Sequence, residues 1–249
     1  MTNFLKKNIR WLLHTKFDFP WKRVSYSQFG EDAVLRSLIE HTFWEQSITN
    51  PSKALQTIKK YKGIYIDIGA FAPKQFSNTY FFYKNGWRGI NIDATPGSMK
   101  NFNSSRGKDI NIECAVSDKE EDLIYYTWEG GGAITNTFSS DQAKEFTKIY
   151  GKEPKIVTLR TKTLTQLLDE NLPQGHRIDF LSIDVEGNNL KVLRSNDWNK
   201  YYPTYIIVEL DNDEKTLDEI QESLIYKFLQ AQNYTMVGWT CLSIIFKRR

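Results

Sequence analysis

Gly63-Ile64-Tyr65-Ile66-Asp67-Ile68-Gly69-Ala70 is a short β-branched and aromatic run that ends on a glycine. From here onward such runs alternate with helical stretches: Ile64–Ile68, Gly89–Asp93, Ile110–Val116, Ile178–Asp184 and Tyr205–Glu209. Alternation of this kind predicts a parallel sheet with helices on both faces. The chain then reads as a helix over Leu217–Gln232, a strand over Tyr234–Trp239, a turn, and a strand over Leu242–Phe246. The last two are close enough for a hairpin. The expected fold is α/β, a doubly wound and mostly parallel seven-stranded sheet.

Two segments stand outside that alternation. Between the third and fourth runs, Leu123–Trp128 and Lys155–Thr161 look like extra strands with a helix near Asp141–Tyr150, an insertion over about 123–161. The first 25 residues read as a helical appendage, with Phe4, Leu5, Ile9, Leu12 and Leu13 at helical spacing and Lys6, Lys7 and Arg10 between them. Its apolar set is short, so docking on the domain or on a partner subunit is the leading reading. A peripheral contact with the inner membrane face is the other. Residues 26–249 then form one domain.

Composition bounds the partners. The chain has 249 residues, 40% hydrophobic and 25% charged, close to a soluble globular average. Aromatics reach 14%, enough to leave rings for a ligand pocket. Lys+Arg minus Asp+Glu is 33 − 30 = +3, too balanced for a nucleic-acid-coating protein. Cys114 and Cys241 form no CxxC or Cys/His cluster, so two reduced thiols are expected rather than a zinc site or a disulfide. No run of about 18 apolar residues occurs. The N-terminus lacks an apolar h-region and cleavage site, so no secretory signal is expected and a cytoplasmic location is.

In an open α/β sheet the ligand sits at the carboxyl ends of the strands, where strand order reverses. Gly69 allows a tight turn there. Asp67 is charged in an otherwise apolar strand and needs a partner, either turn amides or a ligand's amino group. Asp93 ends the second run 24 residues beyond Gly69, where an acidic residue usually grips a ribose diol. NAD and S-adenosylmethionine (SAM) both carry that diol. A dinucleotide needs further glycines to approach its pyrophosphate, and here the turn continues Phe71-Ala72-Pro73. SAM has no pyrophosphate and tolerates this. Ser117 and Asp118 follow the third run, as adenine contacts or a polar strand exit. Asp184, Glu186 and Glu209 put three carboxylates at the same edge.

Together YSQFGED, YIDIGAFAP, FSNTYFFYKNGWRGINIDATPGSM, FLSIDVEG and the IIVEL strand resemble the FkbM family of SAM-dependent methyltransferases over about Tyr26 to Glu209, with SQFGED marking a subgroup. The resemblance implies a class I methyltransferase fold and O-methylation, often of sugars on surface polysaccharides or of glycosylated metabolites. By position it places Asp67, Gly69 and Ala70 beside SAM, Asp93 at the ribose, and Asp184 and Glu186 near the sulfonium and acceptor. The family's usual Asn and second Gly after Gly69-Ala70 appear here as Phe71 and Pro73, so Ser77 and Asn78 are the replacement candidates for the methionine end.

A sugar hydroxyl is weakly acidic, so a base or metal should assist. His14, His41 and His176 all fall away from the expected site, which leaves Asp184, Glu186 or Glu209 as base, Asp184 first. No residue is assigned as a metal ligand; a Mg²⁺ version would gather Asp184, Glu209 and Asp211. For a carbohydrate acceptor the candidate contacts are Gln28, Glu31 and Asp32 in SQFGED, and Trp128 with Tyr125 or Tyr126 beside the Gly130-Gly131-Gly132 loop. A nicotinamide oxidoreductase and a non-catalytic nucleotide-binding protein of the same fold are the alternatives.

Overall fold

The computed structural model describes residues 24–46, 50–128, 135–173, 175–210 and 216–249. The appendage, the triple-glycine loop and Asp211 fall outside these residues. Helices α1 (Glu31–Gln46) and α2 (Pro51–Lys60) precede the sheet. Asn50 caps α2 by accepting from the Lys53 amide, with Pro51 in the first turn, where its missing N–H costs nothing.

The strands are β1 (Ile64–Ile68), β2 (Arg88–Asp93), β3 (Ile110–Glu113), β7 (Phe180–Ile183), β8 (Tyr205–Glu209), β9 (Tyr234–Trp239) and β10 (Ser243–Arg248). They form a seven-stranded sheet in the order β3-β2-β1-β7-β8-β10-β9, with β10 antiparallel to both of its neighbours. Order reverses between β1 and β7, which pair in parallel from Tyr65↔Phe180 to Ile68↔Ile183. The expected fold class is the observed one.

Strand alternation divides the core. Ile66, Ile68, Ile206, Val208, Ile244 and Phe246 face one side, under helices α6 (Leu164–Asn171), α7 (Asn189–Arg194), α8 (Leu217–Glu222) and α9 (Leu224–Ala231). Tyr65, Phe180, Tyr205, Ile207 and Ile245 face the other, against Leu35 of α1 and Phe82 of α3 (Tyr80–Lys84). The aromatic excess is concentrated here: the Phe82 ring lies 4.8 Å from Phe180 and 4.9 Å from Trp87.

Three elements depart from the sequence expectations. The third run breaks at Cys114. Its first part is β3, and its last two residues, β4 (Ala115–Val116), leave for a separate three-stranded sheet, β4-β6-β5. That sheet is built by the insertion, with β5 (Asp122–Thr127) antiparallel to β6 (Lys155–Lys162) and α5 (Ser140–Tyr150) between them. The C-terminal helix divides at Ser223, whose backbone is extended and whose hydroxyl caps the next helix by accepting from the Tyr226 amide. Cys114 and Cys241 are both free thiols, as expected.

The loop after α4 (Met99–Ser105) supplies the least expected core member. Arg106 is fully buried beneath β1 and β2. Its Nε donates to Asp109 at 3.0 Å, and its terminal nitrogens donate to the Tyr65 hydroxyl at 2.6 Å and to Thr79 at 2.9 Å. The guanidinium also lies 5.2–5.5 Å from the Tyr65, Tyr83 and Phe102 rings. Removing one partner of a buried pair strands the other charge. Arg106→Ala is therefore expected to cost about 3–5 kcal/mol of unfolding free energy, measured by urea denaturation.

Candidate active site

At the carboxyl edge of the sheet, around the reversal between β1 and β7, lies a cavity of about 330 Å³. That is within the roughly 300–1,000 Å³ range of small-molecule sites. Gly69 leads into it at φ +77°, with its amide donating to the Ile92 carbonyl. A Cβ on Gly69 would stand 1.6 Å from the Asp184 carbonyl oxygen, so only glycine lets the two strand exits pass. Asp93 closes the turn from the other side: its carboxylate accepts from the Phe71 amide at 2.9 Å and the Thr95 amide at 2.8 Å. Each carboxylate oxygen keeps a second lone pair for a hydroxyl.

The floor is acidic. Asp184, Glu186 and Glu209 bring carboxylate oxygens within 4.8 Å of one another. Asp184 follows β7 and Glu209 ends its parallel neighbour β8, which sets their carboxyl groups side by side in this cluster. Burial pushes Asp184 above the ordinary carboxylate range, and the charges of Glu31 and Asp93 push it the same way, against the lowering effect of the Glu209 bond. Asn189 steadies both exits, accepting from the Val185 amide and donating to the Glu209 carbonyl.

The walls are aromatic. Tyr125 and Phe138 of the insertion stand with ring centroids 4.6 Å apart, and Phe71 and Phe76 stack at 6.3 Å. The Tyr125 hydroxyl is within 3.0 Å of Thr95 Oγ1, and burial pushes its pKa up to about 12. Phe71, Phe76 and Glu186, three of the four described non-glycine residues with positive φ, all line this cavity. Strain of that kind collects at functional sites.

Of the residues singled out from sequence, Gln28, Gly69, Asp93, Asp184, Glu186 and Glu209 line the cavity. The others take different places. Asp67 shares the strand face of Tyr65 and lies buried among Thr79, Arg106 and Ser182 rather than at the edge. Ala70 packs on Met99 and Phe102. Ser77 is buried and accepts from the Tyr80 amide, and Asn78 donates to Ser182. Ser117 and Asp118 follow β4 out of the main sheet, where the Ser117 amide donates to the Lys162 carbonyl.

The acceptor candidates also change. Glu31 and Asp32 are buried, at 2% and 1% exposure. Glu31 accepts from the Phe29 amide and Thr240; Asp32 accepts from the Tyr26 amide and Ser27. Both carboxylates are thus engaged by the chain at the start of α1. Trp128 is buried with its indole N–H donating to the Lys152 carbonyl, so it is no stacking platform. In β5 alternation turns Tyr125, not Tyr126, to the cavity. His41 pairs with Glu45 on α1 and His176 lies at the opposite sheet edge, so neither described histidine reaches the site.

The family model for the methyltransferase FkbM domain matches residues 67–236, more than half of the chain. The chain belongs to the FkbM family of SAM-dependent methyltransferases. Among solved structures it is similar to a methyltransferase FkbM from Methylobacillus flagellatus KT, at 10% identity and TM-score 0.45, over 75% of this chain. It spans only 43% of that protein's length. It is also similar to the Burkholderia thailandensis 1,6-didemethyltoxoflavin-N1-methyltransferase, solved with that compound and S-adenosylhomocysteine, at 12% identity and TM-score 0.38, over 91% of this chain and 93% of that one. No curated protein matches significantly.

The donor set fits a SAM-type ligand. Among the described residues the cavity lining holds four carboxylates and no lysine, arginine or histidine. A sulfonium and an ammonium suit that field, whereas a dinucleotide's pyrophosphate opposes it.

The buried Asp67 has a consequence for stability. Burial raises its pKa from 3.8 to about 6, partly offset by Arg106 and the Thr79 hydrogen bond. A raised folded-state pKa means stability that is present at low pH and lost as pH climbs through that value. The change amounts to about 3 kcal/mol between pH 4 and 7. Asp67→Asn, which still accepts from Thr79, is expected to remove this component. Urea unfolding of both proteins across that window checks it: wild-type stability should fall relative to the variant as pH rises.

Proposed function

We propose that this chain methylates a hydroxyl oxygen of a sugar or glycan acceptor, with the Asp184–Glu209 carboxyl pair taking up the proton. The observation that carries this reading is the cluster of Asp184, Glu186 and Glu209 at the floor of a cavity with aromatic walls. Gly69, Asp93 and the neighbouring Ala94 and Thr95 would hold the methyl donor, Asp93 through its remaining lone pairs. When bound, SAM supplies a methyl group on a sulfonium that is its own leaving group.

The rest of the chemistry belongs to the chain. Tyr125 and Phe138 offer ring faces on which a sugar can stack, and Gln28 offers an amide at the mouth for its hydroxyls. Fixing the acceptor oxygen in line with the methyl carbon would supply several kcal/mol of the barrier, up to about 7–11 in favourable intramolecular cases. Asp184, its pKa raised by burial, is a stronger base than a solvated carboxylate once it is ionised. Glu186 beside it adds negative field that favours the emerging proton. The family resemblance supports a polysaccharide or glycosylated-metabolite acceptor, and the two free thiols fit a reducing, cytoplasmic setting. No described helix is long and apolar enough to cross a membrane.

Methyl transfer to a panel of sugar acceptors, followed by mass spectrometry, tests the reading. Asp184→Asn is expected to retain SAM binding by calorimetry and lose turnover by about 10²–10⁴-fold, the usual contribution of a general base. Full activity in that variant would sink the assignment. In the wild type, kcat should rise with pH along a limb above the ordinary carboxylate range, since the base must be deprotonated and its pKa is raised.

The same three carboxylates could instead hold a divalent cation such as Mg²⁺. Turnover that survives EDTA leaves the proton to Asp184 and Glu209. Turnover lost to EDTA and restored by Mg²⁺ assigns them as ligands.

A further inference from the structure

A second depression lies at the opposite edge of the sheet. Its volume is about 860 Å³, and it is framed by the segments that enter β7 and β8 and by the end of β10. Because β10 runs antiparallel, its last residues arrive where its parallel neighbour begins, pairing Lys247 with Tyr205. Five basic groups meet there, His176, Arg177, Lys200, Arg248 and Arg249, and the described lining contains no carboxylate. The polarity is the reverse of the methyl-transfer cavity.

Three of the cations are held in fixed attitudes. Arg177 Nε donates to the Thr204 hydroxyl at 3.1 Å, and Arg249 Nε donates to the Thr235 hydroxyl at 2.7 Å. The Arg248 guanidinium lies flat-range over the Tyr202 ring, 3.9 Å from its centroid. In each case the anchoring contact leaves terminal N–H groups to donate elsewhere, and a pre-oriented guanidinium fork matches two oxygens of a phosphate. Counter-charge is partial. Asp169 takes Lys200 at 2.5 Å, and Asp179 stands 3.6 Å from Arg177. Among the described residues, Arg248 and Arg249 have no carboxylate within ion-pair distance.

We infer that this basic cleft is a binding site for an organic phosphate, a diphosphate-bearing molecule whose phosphates engage Arg177, Arg248 and Arg249 and whose ring lies against Tyr201 and Tyr202. A bare phosphate would leave most of the volume empty, and two partly exposed tyrosines supply faces for a sugar or base. The length of β8, five residues, puts the cleft about 17 Å from the carboxylate floor, so the ligand is not the methyl acceptor in its reacting position. The inference does not rest on the proposed reaction.

A soluble nucleoside diphosphate presents this chemistry; a phospholipid headgroup, with one phosphate and no ring, is the competing occupant. Calorimetry on the full chain with pyrophosphate and with UDP reads the first, and co-sedimentation with phosphatidylglycerol against phosphatidylcholine vesicles reads the second. UDP is expected to bind more tightly than pyrophosphate, with an affinity that falls as salt rises. The paired variant Arg177→Gln/Arg248→Gln, on two exposed side chains, should weaken UDP by about tenfold or more while leaving SAM binding and the unfolding midpoint unchanged. Binding to phosphatidylglycerol vesicles alone overturns the inference in favour of a lipid surface. The inference is overturned if neither probe binds, or if binding is indifferent to the two substitutions.

Discussion

The passage of Gly69 against the Asp184 carbonyl is the contact on which the site depends. The exits of β1 and β7 are neighbours at the reversal of the sheet, and the chain leaves them toward opposite layers. A side chain at position 69 would have to lie within bonding distance of that carbonyl oxygen. With glycine there, the β1 exit folds back so that the Gly69 and Ala70 amides donate to Ile92, and Asp93 then catches the Phe71 amide. The same closeness delivers Asp184 to the cavity floor. One steric allowance thus sets Asp93 and the Asp184, Glu186 and Glu209 carboxylates in a single cavity.

How much of this can be read in the amino acids follows from what each feature depends on. The seven strands, the reversal point, Gly69, Asp93, Asp184, Glu186 and Glu209 were legible because they follow from runs of apolar residues and from what ends each run. Asp67 and Tyr126 were not, because a period-two strand sends alternate residues to opposite faces, and the face is chosen by the layers above and below. Asp67 turns toward Arg106, a residue 39 positions on and in a loop, which no local pattern marks. Ser117 and Asp118 went elsewhere because β4 found its partner in β6, more than 40 residues later. The left-handed backbone at Phe71 and Phe76 left no trace, since aromatic residues rarely adopt it.

Buried polar groups here divide by whether the chain satisfies them. Around Arg106, the guanidinium is matched by the Tyr65 and Thr79 hydroxyls and by Asp109, which also accepts from the Asn91 amide, a network that ties α3 to the β1–β2 pair. Glu31 and Asp32 are similarly engaged at the start of α1, and Glu31 reaches across to Thr240 of the β9–β10 turn. These carboxylates build the rim of the site without offering themselves to a ligand.

The cavity floor is different in kind. Asp184, Glu186 and Glu209 stand within 4.8 Å of one another with Asp93 on the near wall, and the described lining supplies no cation. Like charges so close, away from bulk water, raise the free energy of the folded chain. Burial and the charges of Glu31 and Asp93 shift Asp184 upward, so protonation there relieves part of that repulsion. A cationic ligand would relieve more of it, so the same carboxylates that cost the folded chain stability would favour a sulfonium over a neutral thioether.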